Sequence, residues 1–482
     1  MAWALVGIVA AGLLIYILQA RSLPDLQAWH RGDLARQVVP ELSHRQLSQA
    51  SLQQYLEHEE VIFDGLAHAV AKSEAELPRW HRYNSGAFHL YLSAWPEGNR
   101  TQYSKPQAKR GAALLAHGLS DSTHSMRPIA SFLAGIGFET LNLRMPGHGT
   151  VPGALLNVTR RQFRSAFRMG VLALAENLRS GQPLVLVGYS NGAALAVDYT
   201  LQAMLDDSGL PRPDLLVLIS PALQVAPVAE YARLQRWMSE LPGLEKLGWT
   251  DVVPEFDPFK YNSFPVYAGE QIYRLTRAIG KRLDRLSPEQ RREFPPLIAF
   301  QSVVDATIPP KSILEGLFDK LADNTSMQLV LFDVNRQSAM LPLLNNRAEE
   351  LLDELASRGT LPFDLTLVGG PAYSDPDRAT LRRKAPGTAE WVETDSDMYW
   401  PPGVFSLSHV ALPFSPEDEV YGPNRGDGLL RLGDMWFKGE RGVFGVPLGL
   451  LARQRYNPFF PYIEERVLES VEPLVNSASG SH

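Results

Sequence analysis

The stretch Pro183-Leu-Val-Leu-Val-Gly-Tyr-Ser-Asn-Gly192, continued by Ala-Ala-Leu-Ala-Val-Asp, constrains the fold of this chain more than any other. Its apolar run, residues 184–187, reads as a buried parallel strand. The run breaks at Gly188-Tyr189-Ser190-Asn191-Gly192 and turns into an alanine-rich helix. Strand, turn and helix around G-x-S-x-G make a nucleophile elbow. Gly188 and Gly192 carry no Cβ, so strand and helix can approach closely while Ser190 takes a strained backbone conformation. The hydroxyl then stands at the C-terminal edge of the sheet, beside the positive end of a helix.

Composition narrows the classes further. A chain of 482 residues has room for one large domain with insertions or for two domains. A net charge of −7 without basic clusters argues against nucleic-acid partners. The absence of cysteine excludes disulfides, thiolate metal sites and cysteine nucleophiles.

Residues 1–20 carry no charged side chain, and about 20 apolar residues span a bilayer core. A cleavable signal peptide is the rival reading, but the basic n-region is missing and Leu18 stands where a small residue is expected. The segment is therefore expected to be an uncleaved transmembrane anchor and the protein's contact with a membrane. Arg21, Arg31 and Arg36 follow the span and none precedes it, a small bias toward a cytoplasmic catalytic domain. Oligomeric state is not legible.

Residues 21–84 alternate polar and apolar positions at helical spacing, most clearly over residues 49–63. His58, Glu59, Glu60 and His68 could suggest a metal site, but the histidines are not spaced to share a helical face. A solvated helix face is the expected role, with no metal. Residues 87–93 read as a strand and 96–110 as a polar, turn-rich stretch. Gly111-Ala-Ala-Leu-Leu-Ala is a strand ending in His117-Gly118. That is where an acyl-transfer site places its second oxyanion donor. The backbone N–H of Leu119 is assigned this role, and the N–H of Asn191 the first. His117 is expected to shape the loop.

A strand over 138–144 closes at Met145-Pro-Gly-His-Gly-Thr150, where the glycines and proline mark His148 as part of a tight loop. A helix over 162–178 and a largely apolar strand over 214–221 follow. Short buried strands alternating with helices predict a parallel sheet covered on both faces. Residues 222–294 are rich in Trp, Tyr, Phe and Pro, including Trp237, Trp249, Phe256, Phe259, Tyr261, Phe264 and Tyr267. They lie between two core strands and are expected to form a cap, whose aromatics either bind an acyl chain or only pack onto the core. The core, 85–221 and 295–475, resumes with a strand that runs into Asp305, then a helix over 311–322. Further strands are expected at 327–334 and 361–369, with a helix at 347–358 between them; 370–400 reads as irregular.

A serine hydroxyl needs a histidine to take its proton and a carboxylate to hold that histidine. In the chain order Ser…Asp…His that accompanies such an elbow, the base follows Asp305. Only His409 and His482 do, and His482 ends a small polar tail. His409 is taken as base and Asp305 as acid; Asp333, also at a strand end, is the alternative acid.

With Gly188-Tyr-Ser-Asn-Gly192, His117-Gly118, Pro146-Gly-His-Gly149, Asp305 and His409 in hand, the chain resembles the α/β-hydrolases. Among them it is similar to the serine-aminopeptidase-type hydrolases, which include monoacylglycerol lipases, lysophospholipases and carboxylesterases. The resemblance covers roughly residues 85–420 and implies an eight-stranded, mostly parallel sheet, an inserted lid and ester-hydrolysing chemistry. Ser190, Asp305, His409 and the Leu119 and Asn191 amides match the family's roles position by position. His409 comes later than the family pattern places it, so an added segment must lead back to the site. The expected protein is a membrane-tethered serine hydrolase of carboxylic esters, lipid-like ones, needing neither metal nor cofactor. Cleavage of amides or thioesters, and a non-catalytic binding role on the same scaffold, are the alternatives.

Overall fold

The computed structural model describes the chain apart from residues 1–6, 8–11, 13–16, 19–21, 32–39, 72–76, 78–80, 85–96, 206–208, 225–231, 337–346, 373–374, 424–431, 434–447 and 480–482. The strand expected at 87–93 lies outside the described residues.

Twelve strands are described: β1 (Gln102–Ser104), β2 (Gly111–Ala116), β3 (Phe138–Leu143), β4 (Leu184–Tyr189), β5 (Leu215–Ile219), β6 (Trp249–Asp251), β7 (Phe264–Pro265), β8 (Leu297–Ser302), β9 (Met327–Phe332), β10 (Asp364–Ala372), β11 (Asp375–Lys384) and β12 (Val392–Tyr399). Ten of them form one sheet in the order β1-β3-β2-β4-β5-β8-β9-β10-β11-β12, and β6 pairs with β7 apart from it. From β3 to β10 every neighbouring pair is parallel. β1 at one edge and β11 and β12 at the other are antiparallel.

The central strands are buried along their whole length, as strands covered on both faces must be. Their side chains divide by alternation. Leu184 and Leu186 join the core on one face of the sheet, and Val185, Val187 and Tyr189 the core on the other.

The principal helices are α1 (Leu52–Ala71), α2 (Arg127–Gly135), α3 (Arg160–Ala175), α4 (Asn191–Leu205), α5 (Ala232–Ser239), α6 (Val266–Leu283), α7 (Arg347–Ser357) and α8 (Phe460–Ser479). Phe163, Phe167 and Leu174 of α3 recur at helical spacing and face the first core with α4, α6 and α7. Its start is set by Thr159, whose Oγ1 accepts from the N–H of Gln162 while Gln162 Oε1 accepts from the N–H of Thr159. Ile129 and Leu133 of α2, with Ile463, Val467 and Val471 of α8, cover the opposite face.

Three expectations need correction. Among the described residues the sheet has ten strands rather than eight, because 370–400 is not irregular but supplies β11 and β12. β12 is an exposed edge strand, and β11 beside it sets buried Ala379, Thr380 and Lys384 among half-buried and exposed residues, so neither has the apolar run of a central strand. Their faces carry cross-strand charge instead, such as Arg378 with Asp397 and Arg382 with Glu393. Residues 96–110, expected to be turns, contain the edge strand β1.

The transmembrane anchor is the second correction. Among the described residues no helix is long and apolar enough to cross a membrane. Of residues 1–20 only Gly7, Gly12, Ile17 and Leu18 are described, and the rest of the expected span lies outside them. Ile17 packs against Met238 and Leu247 of the protein itself, a contact that a lipid-facing side chain would not make. The membrane attachment and the cytoplasmic placement that rested on this span fall with it.

The third concerns Glu59, expected on a solvated face. His58 and His68 of that helix are outward, bonded to the carbonyls of Pro40 and Asp64. Glu59 is buried: it accepts from Arg144 Nε at 2.9 Å and from the N–H of Thr101 at 2.7 Å. Arg144, fully buried, also donates to both carboxylate oxygens of Glu41 at 2.7 and 3.2 Å. This network ties α1 to the loop after β3. Replacing Arg144 by methionine leaves two buried carboxylates without their cation and is expected to cost about 3–5 kcal/mol. Urea denaturation measures this, and a loss under about 1 kcal/mol would show the network to be dispensable for stability.

Candidate active site

At the elbow, β4 ends on Tyr189 and α4 begins at Asn191, leaving Ser190 alone between them with φ +51°. The glycines explain why the chain accepts this. A Cβ on Gly192 would run into the Ala116 carbonyl of β2, and one on Gly188 into the backbone of Ala193. The strained turn is fixed by three backbone bonds. Ser190 N–H donates to Ile219 O at 2.9 Å, and its carbonyl accepts from Ala194 and Ala222 at 3.2 and 3.1 Å. As the first residue of α4, Asn191 has an N–H with no acceptor inside the helix.

Asp305 follows β8, at the same edge. Its Oδ1 accepts from the N–H groups of Thr307 and Ile308 at 2.8 and 2.9 Å. Its Oδ2 accepts from Gln301 Nε2 at 2.9 Å and lies 2.6 Å from Nδ1 of His409. A carboxylate only accepts, so the proton of the neutral imidazole is on Nδ1 and Nε2 keeps its lone pair. His409 is buried, on a short turn held from three sides. Ser302 Oγ donates to Leu407 O at 2.7 Å and Ser408 Oγ to Gln454 O at 2.6 Å. Tyr189 OH donates to His409 O at 3.3 Å, with the two rings 5.3 Å apart.

Asp333, the alternative acid, is engaged elsewhere. It accepts from Arg336 Nε at 2.7 Å and Nη2 at 3.0 Å, and from the N–H of Val334. The late position of His409 also has a structural route. After β9 the chain makes β10, β11 and β12, then returns along Phe405, whose carbonyl accepts from the N–H of Asn335.

Leu119 lies in the loop after β2. His117 shapes this loop: its Nε2 accepts from the N–H of Met145 at 3.0 Å, so Nδ1 donates to Gly118 O at 2.8 Å. Burial brings the His117 imidazole down to about 4, so it is neutral near pH 7. His148 packs edge-on against it at 4.8 Å and bonds the carbonyl of Pro146; burial pushes this imidazole well down too. Ser120 takes φ +65°, and its carbonyl accepts from the N–H of Tyr261 at 2.8 Å.

Several neighbours had escaped notice. Asp121 is buried against Gly118, where an added Cβ would come within 2.6 Å of its Oδ2. Burial raises this carboxyl above its ordinary range, opposed by the ammonium of Lys260 at 2.9 Å. Nothing in the sequence pairs two residues so far apart. Gln301 does have a signal, standing on the strand that leads to Asp305.

The aromatics of 222–294 divide. Phe259 stacks on His124 with centroids 3.7 Å apart. Tyr261 OH donates to Gly147 O and accepts from the N–H of Thr150. These two pack the segment onto core loops, while Trp237 is exposed. Among the described residues no group of three or more His, Asp or Glu is arranged to hold a metal ion.

A mostly parallel sheet with a strained serine at a strand–helix elbow after β4 and a bonded His–Asp pair after β8 is the arrangement of the α/β-hydrolase fold. The chain has an α/β-hydrolase fold, and its residues 107–250 match the family described as serine aminopeptidase, S33. A thermostable monoacylglycerol lipase from Bacillus sp. (strain H-257) is 26% identical over 198 residues, 41% of this chain and 71% of that protein. One similar structure is described under LipS and LipT, two metagenome-derived lipolytic enzymes. It is 22% identical, with 54% of this chain and 97% of that one covered at a TM-score of 0.39. The monoacylglycerol lipase of Paleococcus ferrophilus is 17% identical, with 53% and 98% covered at a TM-score of 0.36.

The buried histidines predict an acid-sensitive fold. His30, His81 and His117 are each brought from 6.5 down to about 4, chiefly by burial. Between those values the unfolded chain binds protons that the native state refuses, so stability is full above pH 6.5 and falls toward pH 4. Urea midpoints should drop between pH 7.5 and pH 5, by less in His117→Asn. An equal drop in that variant would remove His117 from the account.

Proposed function

We propose that the protein is a serine hydrolase that cleaves carboxylic esters, lipid-like ones, through an acyl-enzyme. The observation that carries this reading is the 2.6 Å contact of His409 Nδ1 with Asp305 Oδ2, which leaves Nε2 as the basic nitrogen, together with the strained φ of +51° at Ser190. Ser190 Oγ attacks the ester carbonyl while His409 Nε2 takes its proton, and the imidazolium is stabilised by Asp305. The amides of Leu119 and Asn191 bind the developing oxyanion, each worth roughly 3–4 kcal/mol at the transition state. Collapse releases the alcohol, which receives the proton from His409. Water then attacks the acyl-enzyme with His409 as base, releasing the acid and restoring Ser190. No step calls for a metal or cofactor.

Residues 222–294 act as the cap on a core of 85–221 and 295–475. The bonds from Tyr261 and Lys260 to the loop bearing Leu119 support this division, as does the passage of the segment between β5 and β8. The preference for lipid-like esters rests on the aromatic content of this cap and on likeness to a monoacylglycerol lipase.

The test is hydrolysis of p-nitrophenyl esters from acetate to palmitate by the full chain. Ser190→Ala and His409→Ala should each lower kcat by about 10⁴-fold or more, and Asp305→Asn by a comparable factor. A wild type inert on every ester and unlabelled by a fluorophosphonate would refute the proposal.

A further inference from the structure

Building on the reading of Ser190, Asp305 and His409 as the reacting groups, we propose that Arg453 is a specificity-determining residue that receives an anionic oxygen group of the substrate, a carboxylate or a phosphate, beside the reacting ester. Arg453 lies outside the matched residues 107–250, just after the helical turn Leu448–Leu451. It is nevertheless joined to both the acid and the base. Its Nη2 donates to Thr307 Oγ1 at 3.1 Å, and the N–H of Thr307 donates to Asp305 Oδ1 at 2.8 Å. The carbonyl of the next residue, Gln454, accepts from Ser408 Oγ at 2.6 Å, one position before His409. Backbone and guanidinium are thus fixed against the two loops that bring His409 to Asp305.

The charge balance there is incomplete. Arg453 is half-buried and its field reaches Tyr189, the residue before Ser190, and the carboxylates of Asp305 and Asp121. Asp305 already accepts from His409, Gln301 and two backbone amides, and Asp121 is paired with Lys260. Among the described residues, the hydrogen bond of the Arg453 guanidinium goes to a neutral hydroxyl rather than a carboxylate. Burial and the like charge of Arg455 both hold the guanidinium below its ordinary range. A bound anion would relieve both. A guanidinium offers five donors in a planar fork that matches a carboxylate or phosphate bidentately. Thr307, which holds the fork, is itself exposed, so the approach is open to solvent on that side.

The experiment compares kcat/KM of the full chain within two substrate pairs. In the first, p-nitrophenyl butyrate is set against p-nitrophenyl hemiglutarate, which carries a carboxylate on the acyl side. In the second, 1-butyrylglycerol is set against its 3-phosphate, with the anion on the leaving alcohol. Wild type is expected to favour the anionic member of at least one pair by about tenfold or more. Arg453→Gln should lose that preference through KM, and Arg453→Lys should keep part of it. The pair that responds shows which anion is taken. Absence of any anionic preference in wild type overturns the inference. So does a preference that survives in Arg453→Gln, or a fall of equal size on both members of a pair, which would make Arg453 a counter-charge to Asp305. Fluorophosphonate labelling run alongside separates the two levels: a labelled wild type without preference sinks only the anion site, while an unlabelled one sinks the triad reading.

Discussion

The whole edge of the sheet depends on how closely α4 approaches the strands beneath it. Gly192 sits so near the Ala116 carbonyl, and Gly188 so near Ala193, that no side chain fits at either position. With helix and strand at that separation, the single residue between them has to reverse the chain, and Ser190 does so at φ +51°. Such a backbone costs a non-glycine residue about 1–2 kcal/mol. Bonds to Ile219, Ala194 and Ala222 hold it, so the strain is borne jointly by β5, α4 and the chain leaving β5. The same packing makes Asn191 the first residue of α4, so its N–H is unused by the helix.

The histidine that Asp305 holds comes from far along the chain, and its placement is a matter of lacing rather than of sequence proximity. His409 follows three strands with no helix among them, then is drawn back by bonds from Asn335, Ser302 and Tyr189. Each such bond adds only about 1 kcal/mol to stability. Their larger effect is to remove freedom from the imidazole, whose proton is already assigned to Nδ1 by the Asp305 carboxylate.

The legible part of the molecule was the buried part. Strands such as 111–116, 184–189 and 297–302 are covered on both faces and announce themselves as apolar runs. β11 and β12 announce nothing, because a half-covered antiparallel ribbon with Arg378, Glu393 and Asp397 along it has the composition of a loop. The meeting of His409 with Asp305 was readable for a different reason. Histidine is scarce, only two follow Asp305, and chain order does not depend on how far the intervening segment wanders. Hydropathy misled over residues 1–20, where an uncharged apolar run suggested lipid although Ile17 packs on the protein's own Met238 and Leu247. Glu59 misled in the opposite sense, as a charge that looked solvated and is buried with Arg144.

These failures share a cause. The loops at the C-terminal edge are joined by charge pairs between distant segments: Arg144 with Glu41 and Glu59, and Lys260 with Asp121. A buried ion pair gains little net stability because desolvation offsets its attraction, yet either partner alone is strongly disfavoured. It therefore selects one arrangement of two loops without any periodic trace in either. A hydrophobic core tolerates substitution and reveals itself as a pattern. The charged scaffold around Ser190 has no such redundancy, which makes it specific in the folded protein and silent in the sequence.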